Sequence, residues 1–212
     1  MFKVGIIGDE ASQDFQTVVD MAVEFNLDSI EVRSVWDKAP QELTDQDIDN
    51  MKQILEGTNV KIIGIASPFY KCDIDNTEER KEHINILKWC IKLAKAFDVN
   101  LIRTFVFWKI DNIEERWGEI VGSYDEPVRI AESEGITLGM ENEYSTNLAT
   151  AKLTERFIGE INSPSVKAIW DPANEAHADQ DGEMPFPDAY NRLKPFMIHA
   201  HLKDAARDPK TG

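Results

Sequence analysis

Apolar positions along the chain follow two alternating rhythms. Short runs rich in Ile, Val, Leu and Phe, bounded by Gly, Pro, Asp or Asn, have the composition and two-residue period of strands. They predict strands over Lys3–Gly8, Ser29–Arg33, Val60–Ser67, Asn100–Phe107, Ile136–Glu141, Val166–Asp171 and Phe196–Lys203. Between them the apolar spacing lengthens to that of a helix. Phe15, Val18, Val19, Ala22 and Val23 form one face behind a Ser12 cap, and Ile48, Met51, Ile54 and Leu55 form another behind Thr44. A third helix follows Thr77, with Glu78 and Glu79 in its first turn, where the helix dipole favours acids. Its stripe is His83, Ile86, Leu87, Cys90, Ile91 and Ala94, which makes His83 a packing histidine. A fourth runs from about Asn112 to Glu134, with Trp117, Ile120, Tyr124, Val128 and Ala131 inward and a kink expected at Pro127. A fifth covers Ala149–Ile161, and a short sixth begins at Pro187, a residue suited to the first helical position.

Strands and helices alternate strictly, and that order predicts a parallel sheet covered by helices. Both an open doubly wound sheet and a TIM barrel satisfy it. The open nucleotide-binding sheet should carry G-x-G-x-x-G after its first strand. Here that place reads Gly8-Asp9-Glu10-Ala11-Ser12, with acids where a pyrophosphate would sit. The order therefore points to a TIM (β/α)8 barrel forming a single domain over residues 1–212, with its last strand and last two helices absent from the pattern. Typical barrels need about 250 residues.

Charge narrows the partners. The chain carries 23 basic and 39 acidic side chains, a net charge of −16, and no basic cluster. Such a field repels polyanions, so nucleic acid is not an expected partner. No apolar run approaches the roughly 20 residues of a bilayer span, and no membrane association is expected. Cys72 and Cys90 lack metal-type spacing and fit a reduced, cytoplasmic compartment. The N-terminal run up to Gly8 reads as a first strand rather than a signal peptide.

In a TIM barrel, chemistry collects at the C-terminal ends of the strands, and the strand period decides which side chains point inward. At strand two, Ile30 and Val32 face the helices, leaving Glu31 and Arg33 inward, either as an ion pair filling the barrel or as part of a site. At strand five, Gly139, Glu141 and Glu143 share one face, and strand six ends in Asp171 before Pro172. A carboxylate at a strand mouth is costly to bury unless paired or metal-bound. Strand seven turns His199, His201 and Lys203 inward and Ile198, Ala200 and Leu202 outward. Two imidazoles and an ammonium on one face are not hydrophobic packing. Glu, Asp and His converging on one point describe an oxygen/nitrogen site for one divalent cation: Mn²⁺, Mg²⁺, Co²⁺ or Zn²⁺. His177, in the acidic stretch Glu175-Ala176-His177-Ala178-Asp179, is expected in a loop at the mouth.

At these residues the chain resembles the sugar phosphate isomerase/epimerase family of xylose-isomerase-like TIM barrels. The matching stretches are Ala66-Ser67-Pro68-Phe69-Tyr70-Lys71, Leu101-Ile102-Arg103-Thr104-Phe105, Gly139-Met140-Glu141-Asn142, Trp170-Asp171-Pro172-Ala173-Asn174 and His199-Ala200-His201-Leu202-Lys203-Asp204. Each motif alone is weak; their order and spacing are specific for the superfamily and not for a substrate. The resemblance implies a metal held by Glu141, Asp171 and His201, together with a strand-eight Glu that has no counterpart here. In the family's epimerases the two glutamates are the acid and base on opposite substrate faces, which makes Glu141 the candidate catalytic carboxylate. Lys71, Arg103 and Lys203 are candidates to hold sugar hydroxyls or a phosphate, and Glu31, Asn174 and His199 complete the candidate substrate-binding set. Asn174 stands where many relatives carry a His; it can bind but not titrate near neutral pH.

The implied reaction is proton abstraction alpha to a carbonyl of a ketose or related polyol through an enediolate, in an isomerase or epimerase of a sugar or sugar phosphate. Two alternatives stay open: a dehydratase of the same superfamily acting on an inositol-derived keto-polyol, and a non-catalytic sugar-binding barrel. The DNA-repair endonucleases of this barrel class need more histidines than the four present and a basic surface. An unclosed barrel is expected to be fragile or to be closed by a partner chain, a homo-oligomer being one form of this.

Overall fold

The computed structural model describes residues 2–178 and 182–204. Its seven strands are β1 (Gly5–Ile7), β2 (Ser29–Val32), β3 (Lys61–Ile65), β4 (Leu101–Thr104), β5 (Thr137–Glu141), β6 (Val166–Trp170) and β7 (Met197–Ala200). They lie side by side in chain order, every neighbouring pair parallel. The sheet curls so far that Glu31 on β2 meets His201, just beyond β7, at 2.9 Å. It is a barrel wall without its final strand, and β1 and β7 are its two edges among the described residues. Strand one is shorter than its apolar run suggested, and Val4 just before it is exposed.

The core lies between the sheet's outer face and the helices. Helices α1 (Phe15–Glu24), α2 (Asp45–Leu55) and α3 (Thr77–Ala96) bury most of the stripes expected of them, with Ile54, Leu55 and Ile86 partly buried and Val23 exposed instead, at the end of α1. Each large apolar side chain so buried stabilises the fold by about 1.5–3 kcal/mol. The caps differ in detail. Asp14, not Ser12, caps α1, its carboxylate accepting from the Thr17 amide at 3.0 Å. Ser12 accepts instead from the Asp14 amide. Asn76, one residue before Thr77, caps α3. Thr44 and Asp47 form a reciprocal capping box at α2.

The long fourth helix is two: α4 (Ile113–Gly122) and α5 (Asp125–Glu134). Pro127 lies in the first turn of α5, where its missing N–H leaves no intrahelical bond unmade, so it sits at a helix start rather than at a kink. α6 (Ala151–Ile161) is capped by Thr150. A helix that the period did not announce, α7 (Pro172–His177), leaves β6 directly, with the Asp171 side chain accepting from the Asn174 amide at 2.9 Å. A π-helical stretch, Pro185–Ala189, kinked at Phe186, runs directly into α8 (Tyr190–Leu193), so helical structure covers the region expected to begin at Pro187.

Two register shifts re-aim side chains, as bulges do. On β3 the pairing skips a residue, so that Glu31 stands opposite Gly64. On β7 it skips Ile198, so that His199 stands opposite Ile169. Ile198 is 47% exposed and Leu202 77% exposed, on the outer face of the edge strand. Gly139 on β5 answers a close approach: a Cβ there would lie 2.6 Å from Ile169 Cδ1.

Candidate functional site

Three strand ends converge. Glu141 is the last residue of β5, Asp171 follows β6 and His201 follows β7. All three side chains are buried, and each offers a ligand atom within 4.8 Å of the others. His201 is held on both sides, with Nδ1 2.7 Å from Glu141 Oε1 and Nε2 2.9 Å from Glu31 Oε2. Burial alone would lower the pKa of His201; its hydrogen bonds to the Glu141 and Glu31 carboxylates outweigh it and raise the value to about 9. Burial likewise opposes ionisation of Glu141, but the Arg103 charge and His201 hold this carboxyl below its usual range. Burial opposes ionisation of Glu31 as well, and the hydrogen bonds from His199 and His201 depress it further still.

The strand-seven alternation is seen in full. His199 Nε2 reaches Glu31 Oε2 at 3.2 Å, and Lys203 Nζ reaches Asp171 Oδ2 at 2.8 Å and Asn174 Oδ1 at 3.0 Å. Arg103 does not open to the mouth. It is 8% exposed, with its guanidinium 3.4 Å from Glu141 and donating to the Ala66 carbonyl, which makes it a counter-ion beneath the site. Glu31 and Arg33 do not pair with each other. Arg33 reaches back to Asp9 and Glu10 beyond β1, the acids that take the place of a phosphate loop. Lys71 lies at the rim, paired with Glu143 at 3.2 Å and seated over the rings of Phe105 and Trp108.

His83 is the packing residue its stripe implied. Its Nδ1 accepts from the Tyr70 amide at 2.8 Å. His177 is not in a loop; it ends α7, its ring 5.8 Å from that of Tyr144.

Two residues outside the sequence-based site set hold it in shape. Asn142 exchanges two hydrogen bonds with the Asp171 backbone, each 2.8 Å, tying the end of β5 to that of β6. Glu175, 1% exposed, accepts from the Ala151 amide at 2.6 Å and from the Glu183 amide at 3.0 Å. Its pKa is raised by burial. The stretch Asp171-Pro172-x-x-Glu175 carried the signal for both the cap and the helix.

The donor set fits a divalent cation. Two carboxylates and an imidazole converge, no thiol is among them, and a cation at Nδ1 would face the Glu141 carboxylate that now attracts its proton. Cys72 and Cys90 are buried elsewhere, their thiols pushed up to about 12 by burial.

A curled parallel sheet with an acid–imidazole centre at the C-terminal ends of its strands defines a TIM-barrel protein. The chain belongs to the xylose isomerase-like TIM barrel family, whose model matches residues 19–212. Among solved structures it is similar to the probable 3-DHS dehydratase AsbF of Bacillus anthracis, with 20% identity, a TM-score of 0.77 and coverage of 97% of this chain and 74% of that one. It is similar to the 3-keto-D-glucoside 4-epimerase YcjR of E. coli, with 14% identity, a TM-score of 0.75 and coverage of 96% and 79%. It is also similar to a xylose isomerase-like TIM barrel protein of Mycobacterium smegmatis in complex with magnesium, with 16% identity, a TM-score of 0.74 and coverage of 98% and 78%. At these identities the likeness is one of fold. No curated protein matches the sequence. No helix among the described residues is long and apolar enough to cross a membrane.

Proposed function

We propose that the chain is a divalent-metal-dependent isomerase or epimerase acting on a ketose or related polyol by proton transfer alpha to a carbonyl. The observation that carries this reading is the buried convergence of Glu141, Asp171 and His201 at adjacent strand ends. These three residues would hold the ion, which when bound supplies Lewis-acid stabilisation of an enediolate oxygen. Glu141, held ionised beside Arg103, is in the form needed to accept the carbon-bound proton. Lys203 and Asn174, bonded to each other beside Asp171, and Lys71 at the rim are placed to take substrate hydroxyls. His199 and Glu31 face each other across the interior, 3.2 Å apart.

The test is turnover of a ketose panel with Mn²⁺ added, for the wild-type chain and for Glu141→Gln. Interconversion of ketoses, lost in the variant, supports the reading; metal-dependent turnover undiminished in Glu141→Gln would remove Glu141 from the chemistry.

One observation favours a second reading, a lyase on a keto-polyol. Lys203, half-exposed and bonded to Asp171, is an acid poised beside the ion-binding groups, where a departing hydroxyl would need a proton. Product analysis separates the two, since loss of water changes the product's mass and isomerisation does not.

A further inference from the structure

Glu31 lies outside the Glu141, Asp171 and His201 group; it is 3% exposed and forms with His199 and His201 a second cluster whose ligand atoms lie within 4.8 Å of one another. One of its oxygens, Oε2, receives both His199 Nε2 at 3.2 Å and His201 Nε2 at 2.9 Å, while Oε1 is buried without a partner. Its strand is five places from β7 in the sheet, so the contact spans the barrel interior. The shift of register beside Glu31 and the absence of a side chain at Gly64, opposite it, make room for this reach.

An imidazole that binds a cation through one nitrogen keeps its proton on the other, and a carboxylate accepting that proton fixes both the tautomer and the plane of the ring. The Nδ1 of His201 meets Glu141 at 2.7 Å, and Glu141, Asp171 and His201 have ligand atoms within 4.8 Å of one another. On its Nε2 side it meets an oxygen already shared by two imidazoles. The first side, with two carboxylates in its cluster, suits binding; on the second, a single oxygen engaged by two imidazoles suits orienting.

We infer that Glu31 is a positioning residue that holds His201 as its Nε2–H tautomer, with Nδ1 aimed at the cation site formed with Glu141 and Asp171. This inference rests on the proposed metal site. It assigns Glu31 to the protein's own imidazole rather than to substrate, and it makes β2 a participant in a centre whose ligands come from β5, β6 and β7.

The experiment titrates the full chain with Mn²⁺ by calorimetry, for wild type, Glu31→Leu, Glu31→Gln, Asp171→Asn and His201→Ala. It also records imidazole ¹⁵N shifts of His201 in the Zn²⁺-loaded wild type and Glu31 variants. Glu31→Leu should weaken Mn²⁺ binding by about 10–100-fold, the usual effect of losing a carboxylate behind a ligating histidine. Glu31→Gln, which keeps an acceptor oxygen, should recover most of that affinity and preserve the ¹⁵N pattern of a protonated Nε2. Thermal melts identify any variant that fails to fold; if Glu31→Leu does, the Gln variant's ¹⁵N pattern carries the test. Wild-type affinity in Glu31→Leu, or a ¹⁵N pattern with the proton on Nδ1, overturns the inference. A loss as complete as that of His201→Ala makes Glu31 a ligand and overturns it equally. Unchanged affinity in Asp171→Asn and His201→Ala would remove the site itself, an outcome distinct from failure of Glu31 alone.

Discussion

His83 and His201 are buried to the same depth, each 7% exposed, and they behave oppositely. His83 sits in the outer layer, between α3 and the loop after β3, with the rings of Phe69 and Tyr70 within 6.4 Å. Burial lowers its pKa below 6.5, and its Nδ1 serves as an acceptor for a backbone amide. His201 lies inside the curled sheet, where carboxylates on both ring nitrogens overcome burial and raise it to about 9. Depth alone therefore says little about a buried histidine; the donors and acceptors at its two nitrogens decide its charge and its use.

The largest break in this contrast should come from the charge beneath His201. Arg103→Met leaves Glu141 buried without its guanidinium neighbour, and loss of one partner of a buried pair typically costs about 3–5 kcal/mol. Thermal or urea unfolding measures it, and a loss below about 1 kcal/mol would show that the interior is wetter than a closed ion-pair network. Next in size is metal affinity. His201→Ala, Asp171→Asn and Glu141→Gln should each weaken Mn²⁺ binding more than the roughly 10–100-fold typical of an outer partner. If all three bind as wild type does, the ligand assignment is wrong.

His83→Gln should lower stability by about 1–3 kcal/mol, the cost of disturbing a buried hydrogen bond, and leave Mn²⁺ affinity near wild type. Loss of metal without loss of stability would move His83 into the site.

The finest test is the pH dependence of stability. The folded pKa of His83 is depressed, so its contribution is complete above the unfolded value of 6.5 and is lost as pH falls below it. The folded pKa of His201 is raised, so its contribution is complete below 6.5 and is lost as pH rises toward about 9. His83→Gln should flatten the acid limb of the stability profile and His201→Gln the alkaline limb. The same limb flattened by both would collapse the distinction between the two environments.

Much of this contrast was legible in the sequence, because it depends on periodicity. A spacing of three and four placed His83 on an apolar helical stripe, and a spacing of two put His199, His201 and Lys203 on one strand face. Glu141 and Asp171 were legible as acids at strand ends. What escaped were contacts between elements far apart in sequence. The Asn142 side chain pairs with backbone 29 residues on, and Arg33 finds partners 24 and 23 residues back instead of the neighbouring Glu31. Arg103 was a candidate to hold substrate, but the fold pairs it with Gly139, two residues before Glu141, and sets its guanidinium 3.4 Å from Glu141, a contact the sequence does not announce. The break between α4 and α5 hid inside a continuous apolar period, with Pro127 marking a beginning that resembled an interruption.

The skipped residue on β7 has a consequence for how this centre tolerates changes in length. Ile198 has no partner on β6, and its neighbours Met197 and His199 stand opposite the consecutive residues Ala168 and Ile169. It works like an expansion joint: the ladder above it keeps its parity if that one residue is lost. Excising Ile198 would regularise the strand and still leave His199 opposite Ile169, whereas excising Ala200 would swap the faces of everything after it and turn His201 away from the acids. A one-residue deletion at the joint can therefore be absorbed without disturbing the imidazoles, and one just after it cannot.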